Sequence, residues 1–389
     1  MSSNGIAIIG AGMIGAAHAY GYRNHLPRFI DNLPGLNLAC VCDANQELAK
    51  TMAATYGFRE TGTDWRYVLE NPEISIVSVC LPNFLHAEVT AAAINAGKHV
   101  ICEKPLAVKS ADALALYQVA KNAKTCTATV FNYRRYPAVA EIRDLIESGA
   151  IGTPVHMLVQ YQAEYAADPE LPHSWRYERS RAGAGALLDV GTHAIDMARF
   201  VCGDIDEVVG AMTAISIKER RLPAGNTVGH NRVQLSDEAR PVDNDDVVSA
   251  LLKFKSGCQG IFSASRVAVG MGNTLSLLVS GTKGTLRFTS ERPGEYQISQ
   301  SDGHTGFVTV PNRPVSPYAS SLLPVPHDGV AVGYAEAFGF MIHEFLSCVA
   351  SGKAMTNGSL LDGLRAAEIL DAIQLVADES RPVKINHNS

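Results

Sequence analysis

Over the first third of the chain, short apolar runs alternate with stretches of helical periodicity. Ile6-Ala7-Ile8-Ile9 predicts a strand and residues 13–23 a helix; Leu38 to Cys42 predicts a second strand and Asn45 to Tyr56 a second helix. Asp64 to Leu69 reads as a short helix, Ile74 to Leu81 as a strand between Pro72 and Pro82, and Leu85 to Ala96 as a helix stopped by Gly97. His99-Val100-Ile101-Cys102 is a strand, Ser110 to Lys121 a helix and Thr125 to Phe131 a strand. Strands that are apolar throughout are buried on both faces. The alternation therefore predicts a parallel sheet covered by helices on each side.

Beyond residue 131 the pattern changes. Pro137 to Ser148 predicts a helix ended by Gly149, Val155 to Tyr165 alternates like a strand with one exposed face, and Gly185 to Val201 predicts one helix. Strands then follow one another at 206–217, 246–254, 258–268, 274–280, 284–288 and 295–299, several of them separated by glycine-containing turns. Such a succession predicts a largely antiparallel sheet. Residues 24–35, 219–245 and 311–330 read as loops, and two more helices are expected near 334–351 and 359–378.

A length of 389 residues suits two domains. The net charge is −6 with no long run of one sign, which argues against a nucleic-acid partner or a membrane surface. The eight cysteines lie mostly in apolar runs, with no Cys-x-x-Cys pair and no zinc-type spacing. They read as reduced core thiols of a cytoplasmic protein, and no metal site is expected.

Gly10-Ala11-Gly12-Met13-Ile14-Gly15 matches G-x-G-x-x-G. The motif alone is weak, but here it follows a predicted strand and opens a predicted helix, as a dinucleotide loop must. Gly10 allows the tight turn, Gly12 a close approach of backbone to pyrophosphate, and Gly15 close helix–strand packing. The helix N-terminus offers free N–H groups to the phosphates. Asp43, at the end of the second strand, can take the hydroxyls of an adenine ribose, which favours NAD over NADP; it can also serve as a helix cap.

Two further motifs follow strands and so lie at the same, carboxyl, edge of the expected sheet: Pro82-Asn83-x-x-His86 and Glu103-Lys104-Pro105. A lysine there can take part in proton transfer. Asp189-x-x-x-His193 has the i,i+4 spacing that puts both side chains on one helix face, with Asp196 one turn further. An imidazole beside a carboxylate is an acid–base arrangement, and it lacks a nearby third ligand for a metal.

Together these motifs resemble the glucose–fructose oxidoreductase / inositol dehydrogenase / rhizopine-catabolism (Gfo/Idh/MocA) family. Asn132-Tyr133-Arg134-Arg135, Trp175-Arg176 and the stretch from Gly183 to Asp196 carry the resemblance further, over essentially the whole chain. Within the family the likeness is to the sugar 3-dehydrogenase branch that includes the levoglucosan dehydrogenases. It rests on Ala167-Asp168-Pro169, Ser174-Trp175-Arg176, Pro241-Val242-Asp243 and the Pro324-Val325-Pro326 run before Gly333-Tyr334. Gly183-Ala184-Gly185 departs from the consecutive glycines many members carry, which bears on loop packing more than on chemistry.

The resemblance implies an α/β protein: an NAD-binding Rossmann domain with a doubly wound parallel sheet over residues 1–131, and a C-terminal α/β domain over 132–389. The second domain is built on a large, mostly antiparallel open sheet for substrate binding and oligomerisation. The family's catalytic residues map onto Lys104, Asp189 and His193. Cofactor contacts are implied from the glycine loop, Asp43, Pro82, Asn83, His86, Glu103, Lys104, Asn132, Trp175 and Arg176. Homodimers or homotetramers are expected.

The implied reaction moves hydride from a secondary ring hydroxyl, with C3 favoured, of a pyranose, anhydrosugar or cyclitol to NAD. Lys104 or His193 is the immediate base. Candidate pocket walls are Lys104, Tyr133, Gln160, Gln162, Glu164, Trp175, Asp189 and His193, which combine aromatic faces with hydroxyl-binding groups. Arg134, Arg135 and Arg176 are the counter-argument, since they could bind an anionic ring. A redox-neutral, NAD-retaining glycosidase is the alternative enzyme, for which Tyr133, Glu164, Tyr165 or His173 would supply extra acid–base groups. A non-catalytic dinucleotide-binding regulator is the third reading.

Overall fold

The computed structural model describes residues 4–24, 36–225, 231–301, 306–313, 329 and 332–387. Most of the loop read at 24–35, and the Pro324-Val325-Pro326 run, lie outside the described residues. The chain divides into two compact units, one formed by Met1–Asn132 with Tyr334–Ala367 and the other by Tyr133–Gly333 with Glu368–Ser389.

In the first unit the strands are β1 (Asn4–Ile9), β2 (Leu36–Cys42), β3 (Glu60–Gly62), β4 (Ile74–Val79), β5 (His99–Cys102) and β6 (Thr127–Thr129). They form one sheet in the order β3-β2-β1-β4-β5-β6, and every pairing is parallel. The helices between them are α1 (Met13–Asn24), α2 (Gln46–Tyr56), α3 (Trp65–Glu70), α4 (Asn83–Asn95) and α5 (Ser110–Lys121). The central strands β1, β2, β4 and β5 are largely apolar on both faces because each face is covered, whereas the edge strands β3 (Glu60-Thr61-Gly62) and β6 (Thr127-Ala128-Thr129) carry polar residues. Ile6 and Ile8 join a core with Ala19, Met52 and Phe345, while Ala7 and Ile9 join a second core with Val89, Ala93 and Leu116. Each such isoleucine, at most 1% exposed, stabilises the fold by about 1.5–3 kcal/mol. Capping sets the helix ends. Asn45 accepts the N–H groups of Glu47 and Leu48 before α2, and Gly57 closes it with φ +82°.

The second unit carries a nine-stranded sheet. Its strands are β7 (Pro154–Ala163), β8 (Ile205–Ala214), β11 (Val247–Phe254), β12 (Gln259–Ser265), β13 (Asn273–Gly281), β14 (Gly284–Thr289), β15 (Glu295–Gln300), β16 (Val308–Pro311) and β17 (Val383–Lys384). Their order is β16-β15-β14-β13-β7-β12-β11-β8-β17, and only β7–β12 is parallel. The region 219–245, expected as loop, instead holds an antiparallel pair, β9 (Glu219–Pro223) and β10 (Leu235–Pro241). Its charged residues hid it, because this mostly exposed ribbon buries an arginine, Arg220, in place of an apolar residue and so has no apolar face to reveal a period of two. The helices are α6 (Pro137–Glu147), α7 (Arg179–Ala182), α8 (Ala186–Asp189) and α9 (Gly191–Cys202).

The last helices are α10 (Tyr334–Ser351), which packs Phe338, Met341, Ile342 and Phe345 into the first core, and α11 (Leu360–Glu379). All eight cysteines are free thiols. Among the described residues no helix is long and apolar enough to cross a membrane.

Candidate functional site

In the first unit the three glycines of the loop do different work. Gly10 turns the chain at φ +106°, and a Cβ on it would stand 2.2 Å from the carbonyl oxygen of Cys80. A Cβ on Gly15 would meet the Gly10 carbonyl oxygen at 2.0 Å. Both positions therefore demand glycine. Gly12 has nothing within 4 Å of where its Cβ would be. That open space, at the N-terminus of α1, is what a pyrophosphate needs, so the loop fits a dinucleotide. Met13, the first helical residue, is exposed; Ala11 is buried and Ile14 half-buried.

Asp43 stands directly after β2. Its Oδ2 accepts the N–H of Ala11 at 2.7 Å and its Oδ1 the N–H of Asn45 at 2.8 Å. The cap of α2 is Asn45, so Asp43 instead ties the glycine loop to the end of β2.

Pro82 precedes the first residue of α4, Asn83, and His86 lies buried in that helix's first turn. The His86 ring sits between two carbonyl oxygens, Nδ1 2.6 Å from that of Pro105 and Nε2 2.7 Å from that of Leu81. Burial lowers the ring's pKa, and a neutral imidazole carries one N–H, so the ring donates to one of these two carbonyls at a time. Glu103 is 5% exposed and Lys104 half-buried. Glu103 Oε2 accepts the N–H of Lys104 at 3.1 Å. Asn132 is buried, and its Nδ2 has no hydrogen-bond partner among the described residues.

In the second unit the single helix expected over 185–201 is two. α8 ends at Asp189 and α9 begins at Gly191. At the junction the Thr192 hydroxyl takes the Leu188 carbonyl at 2.5 Å, and the N–H of His193 bonds to Val190, three residues back. The one residue between α8 and α9, Val190, keeps right-handed helical angles, φ −82° and ψ −30°, so the step is a local tightening and Asp189 and His193 still lie four residues apart along one helical path.

Each is held separately. The Tyr165 hydroxyl donates to Asp189 Oδ2 at 2.6 Å, and burial first, then the Asp189 charge, pushes that phenol well up. His193 meets Tyr133 edge-on with ring centroids 4.9 Å apart, and Tyr161 at 5.8 Å. The two phenols and Asn273 close a ring of hydrogen bonds. Asn273 Nδ2 donates to Tyr133 at 3.2 Å, Tyr133 to Tyr161 at 2.7 Å, and Tyr161 to Asn273 Oδ1 at 2.7 Å. Tyr133 is thus 3% exposed with its hydroxyl engaged, the wall behind His193. Asp245 fixes α8, accepting the N–H groups of Gly185 and Leu187 at 2.7 and 2.8 Å. A Cβ on Gly185 would lie 1.9 Å from the Asp245 carbonyl oxygen.

The other expected wall residues are distributed over β7 and the loop that follows it. Gln160 and Gln162 point to the face of β7 opposite Tyr161. The strand alternates, and Met157, Val159, Tyr161 and Ala163 take the buried face. Gln162 bonds Ser263 on that open side. Glu164 is exposed just past β7 and accepts the N–H of Gly270 at 2.7 Å. Trp175 and Arg176 begin a 3-10 turn, with the guanidinium 4.6 Å over the indole. His173 Nε2 lies 3.1 Å from the Pro241 carbonyl oxygen. Asp196, expected beside His193, pairs with Arg134, and both are buried. Among the described residues no three His, Cys, Asp or Glu side chains gather as a metal site.

Residues 5–131 match the oxidoreductase family with an NAD-binding Rossmann fold, and residues 139–287 match the GFO/IDH/MocA C-terminal domain. Levoglucosan dehydrogenase of Pseudarthrobacter phenanthrenivorans is 38% identical over 378 residues, 96% of each chain. The chain belongs to the Gfo/Idh/MocA family. This family member is also 27% identical to inositol 2-dehydrogenase of Rhizobium meliloti, over 97% of this chain and 98% of the relative. A solved structure of levoglucosan dehydrogenase in complex with NADH and levoglucosan matches it with TM-score 0.89 and 36% identity, covering 99% of this chain and 100% of that one. The Gfo/Idh/MocA protein described here is therefore an oxidoreductase whose first unit carries the NAD-binding fold.

Sequence reasoning missed Asp245, Tyr161 and Asn273 as supports of the site. Asn244-Asp245-Asp246, three polar residues heading an apolar strand, was the available signal for the first. Nothing local marked Asn273, because its partners lie 112 and 140 residues away.

Proposed function

We propose that this protein is an NAD-dependent dehydrogenase that oxidises a secondary hydroxyl, with C3 favoured, on a neutral pyranose, anhydrosugar or cyclitol ring. Lys104, Asp189 and His193 are the proposed catalytic residues. When bound, the nicotinamide supplies the hydride acceptor. Lys104 or His193 takes the hydroxyl proton, and Asp189, held by Tyr165, accepts a hydrogen bond from a neighbouring hydroxyl. Glycine-loop backbone and Asp43 bind the dinucleotide, with Pro82, Asn83, Asn132, Trp175 and Arg176 as further proposed contacts.

One observation carries the choice of a neutral ring. Arg134, the cation nearest in sequence to the Tyr133 wall, is held by Asp196, with side chains 4% and 3% exposed. Arg135 is 0% exposed. Two of the three arginines that could have bound an anionic ring are thus enclosed. The similarity to levoglucosan dehydrogenase, a dehydrogenase of an uncharged anhydrosugar, points the same way.

The test is a panel of neutral sugars, anhydrosugars, cyclitols and glycosides with NAD+, read by absorbance of the reduced cofactor and by product analysis. Net NADH with a ketone at a ring carbon supports the reading. Glycoside cleavage without net NADH would replace it with the redox-neutral glycosidase, and cofactor binding without turnover would replace it with a regulator.

The open sheet face supports assembly with a second copy. Leu158, Ile261 and Leu251 lie in register across β7, β12 and β11, all more than a third exposed, with Met212 of β8 beside them on the same face. An apolar row of this kind on a sheet marks an interface, and a two-fold pairing would cover it on both copies. Light scattering should give a dimer or tetramer that Ile261→Asp dissociates.

A further inference from the structure

Beneath the Glu103-Lys104 turn runs a buried chain of polar side chains that begins on α1. His18 is 0% exposed and lies three residues beyond the last loop glycine. Its Nε2 is 3.1 Å from Glu103 Oε1 and its Nδ1 3.0 Å from the Ser78 hydroxyl. Tyr22 OH is 3.0 Å from the same hydroxyl. The other Glu103 oxygen accepts the Lys104 N–H. With a neutral ring the links close in one direction: the Nε2–H donates to the Glu103 carboxylate, and Nδ1 accepts from Ser78. Ser78 in turn accepts from Tyr22, whose phenol burial pushes well up, so it keeps its proton. The ring also packs against Phe338 of α10, with centroids 5.6 Å apart.

We propose that His18 is a positioning residue for Lys104, acting through Glu103. Glu103 then braces the catalytic turn rather than contacting the cofactor. The carboxylate is gripped from both sides, by the imidazole of α1 and by the Lys104 backbone. Its position sets where the lysine leaves β5. A displacement of about 1 Å at a catalytic group can cost on the order of 100-fold in rate. The inference rests on the proposed role of Lys104 in the dehydrogenase reaction.

The test compares His18→Leu, which removes both ring contacts, with His18→Gln, whose amide offers a donor and an acceptor at similar separation. With the fastest substrate of the sugar panel, kcat should fall about 10–100-fold in H18L and return to within about 5-fold in H18Q. The Kd for NADH should change less than about 3-fold in both, since the loop glycines are untouched. In a Lys104→Ala background, H18L should cost almost nothing further, because the two residues act as one unit.

Amide hydrogen exchange over residues 103–107 needs no substrate. It should be about ten-fold faster at Lys104 in H18L than in H18Q or the parent. Should H18L not fold, Ser78→Ala is read by the same measurements and should move them in the same direction. An undiminished kcat in H18L, an equal cost in the K104A background, or unchanged exchange at Lys104 would each overturn the proposal. Full activity of K104A alone would instead overturn the role of Lys104, leaving the exchange result to judge the brace.

Discussion

Arg134 grips Asp196 through two parallel charge-assisted hydrogen bonds, Nε to Oδ2 at 2.8 Å and Nη2 to Oδ1 at 2.6 Å. The pair links the turn after Asn132 to α9, the helix that carries His193. Removing one partner leaves the other charged and enclosed, which costs about 3–5 kcal/mol. Asp196→Ala should therefore lower the urea midpoint sharply at unchanged m-value. A loss below about 1 kcal/mol would mean that water reaches the guanidinium.

Lys104→Ala should lower turnover by about 10²–10⁴-fold, the usual range for a proton-transfer group. Its side chain is half-buried and lies at the end of a strand whose core contacts come from Val100, Ile101 and Cys102. The fold should survive, and NADH affinity should change far less than rate. Steady-state kinetics beside a binding titration separate the two effects, and an unchanged rate would remove Lys104 from the chemistry.

Cofactor choice should favour NAD over NADP. Asp43 is fixed by two backbone N–H groups, so it cannot swing away from a 2′-phosphate. At about 4 Å and an effective dielectric near 20, like-charge repulsion is on the order of 4 kcal/mol before screening. Among its sequence neighbours within two residues there is no Arg or Lys to offset it. The ratio of kcat/KM values for the two cofactors measures this preference. Asp43→Ala should narrow the ratio, while also loosening the loop through the lost Ala11 bond.

The parallel sheet was legible because its central strands are apolar on both faces and α2 and α3 open on ordinary side-chain caps, Asn45 and Asp64. The loop glycines were legible because sterics leave few residues that fit there. That Gln160 and Gln162 face away from Tyr161 was not legible, because alternation tells which residues share a face but not which face a site occupies. The helix expected over 185–201 is present in its extent, and only the tightening at Val190 was not legible. Asp245, which anchors the start of that helix, arrives from 56 residues beyond Asp189, and no periodicity records it. Buried polar networks such as Arg134–Asp196 are equally silent in sequence, since a paired and a solvated arginine are the same letter.

Stability should fall on acidification, with His86 a contributor. Burial holds the His86 pKa below its ordinary 6.5. The unfolded chain therefore binds a proton that the folded chain refuses. The stabilisation is fully present above about pH 6.5 and is lost as pH falls through the lower folded value, at up to about 1.4 kcal/mol per pH unit. His99, His173 and His343 are also lowered by burial and add in the same direction. Asp245 opposes them, since its raised carboxyl favours the folded state at low pH. Denaturant midpoints at pH 7 and pH 5 give the slope, which should be shallower in His86→Gln. An equal slope would mean that the folded ring titrates normally.

The substrate pocket should prefer an uncharged ring over its uronate. Of the three arginines weighed, Arg176 is the one not enclosed, half-buried and lying 4.6 Å over Trp175. Its backbone carbonyl is also held, by Asn244 Nδ2 at 2.9 Å. Asp189, in its proposed role, is an acceptor that would repel a ring carboxylate and take hydrogen bonds from ring hydroxyls. A site whose polar groups await hydroxyls penalises analogues that lack them, because those groups are left unpaired. Initial rates for levoglucosan, an inositol, glucose and glucuronate should therefore rank the uronate last, by about ten-fold or more in kcat/KM. A uronate preferred over its neutral counterpart, and made worse by Arg176→Gln, would show that the guanidinium leaves the indole to bind a carboxylate bidentately. The neutral-ring assignment would then give way to an anionic one.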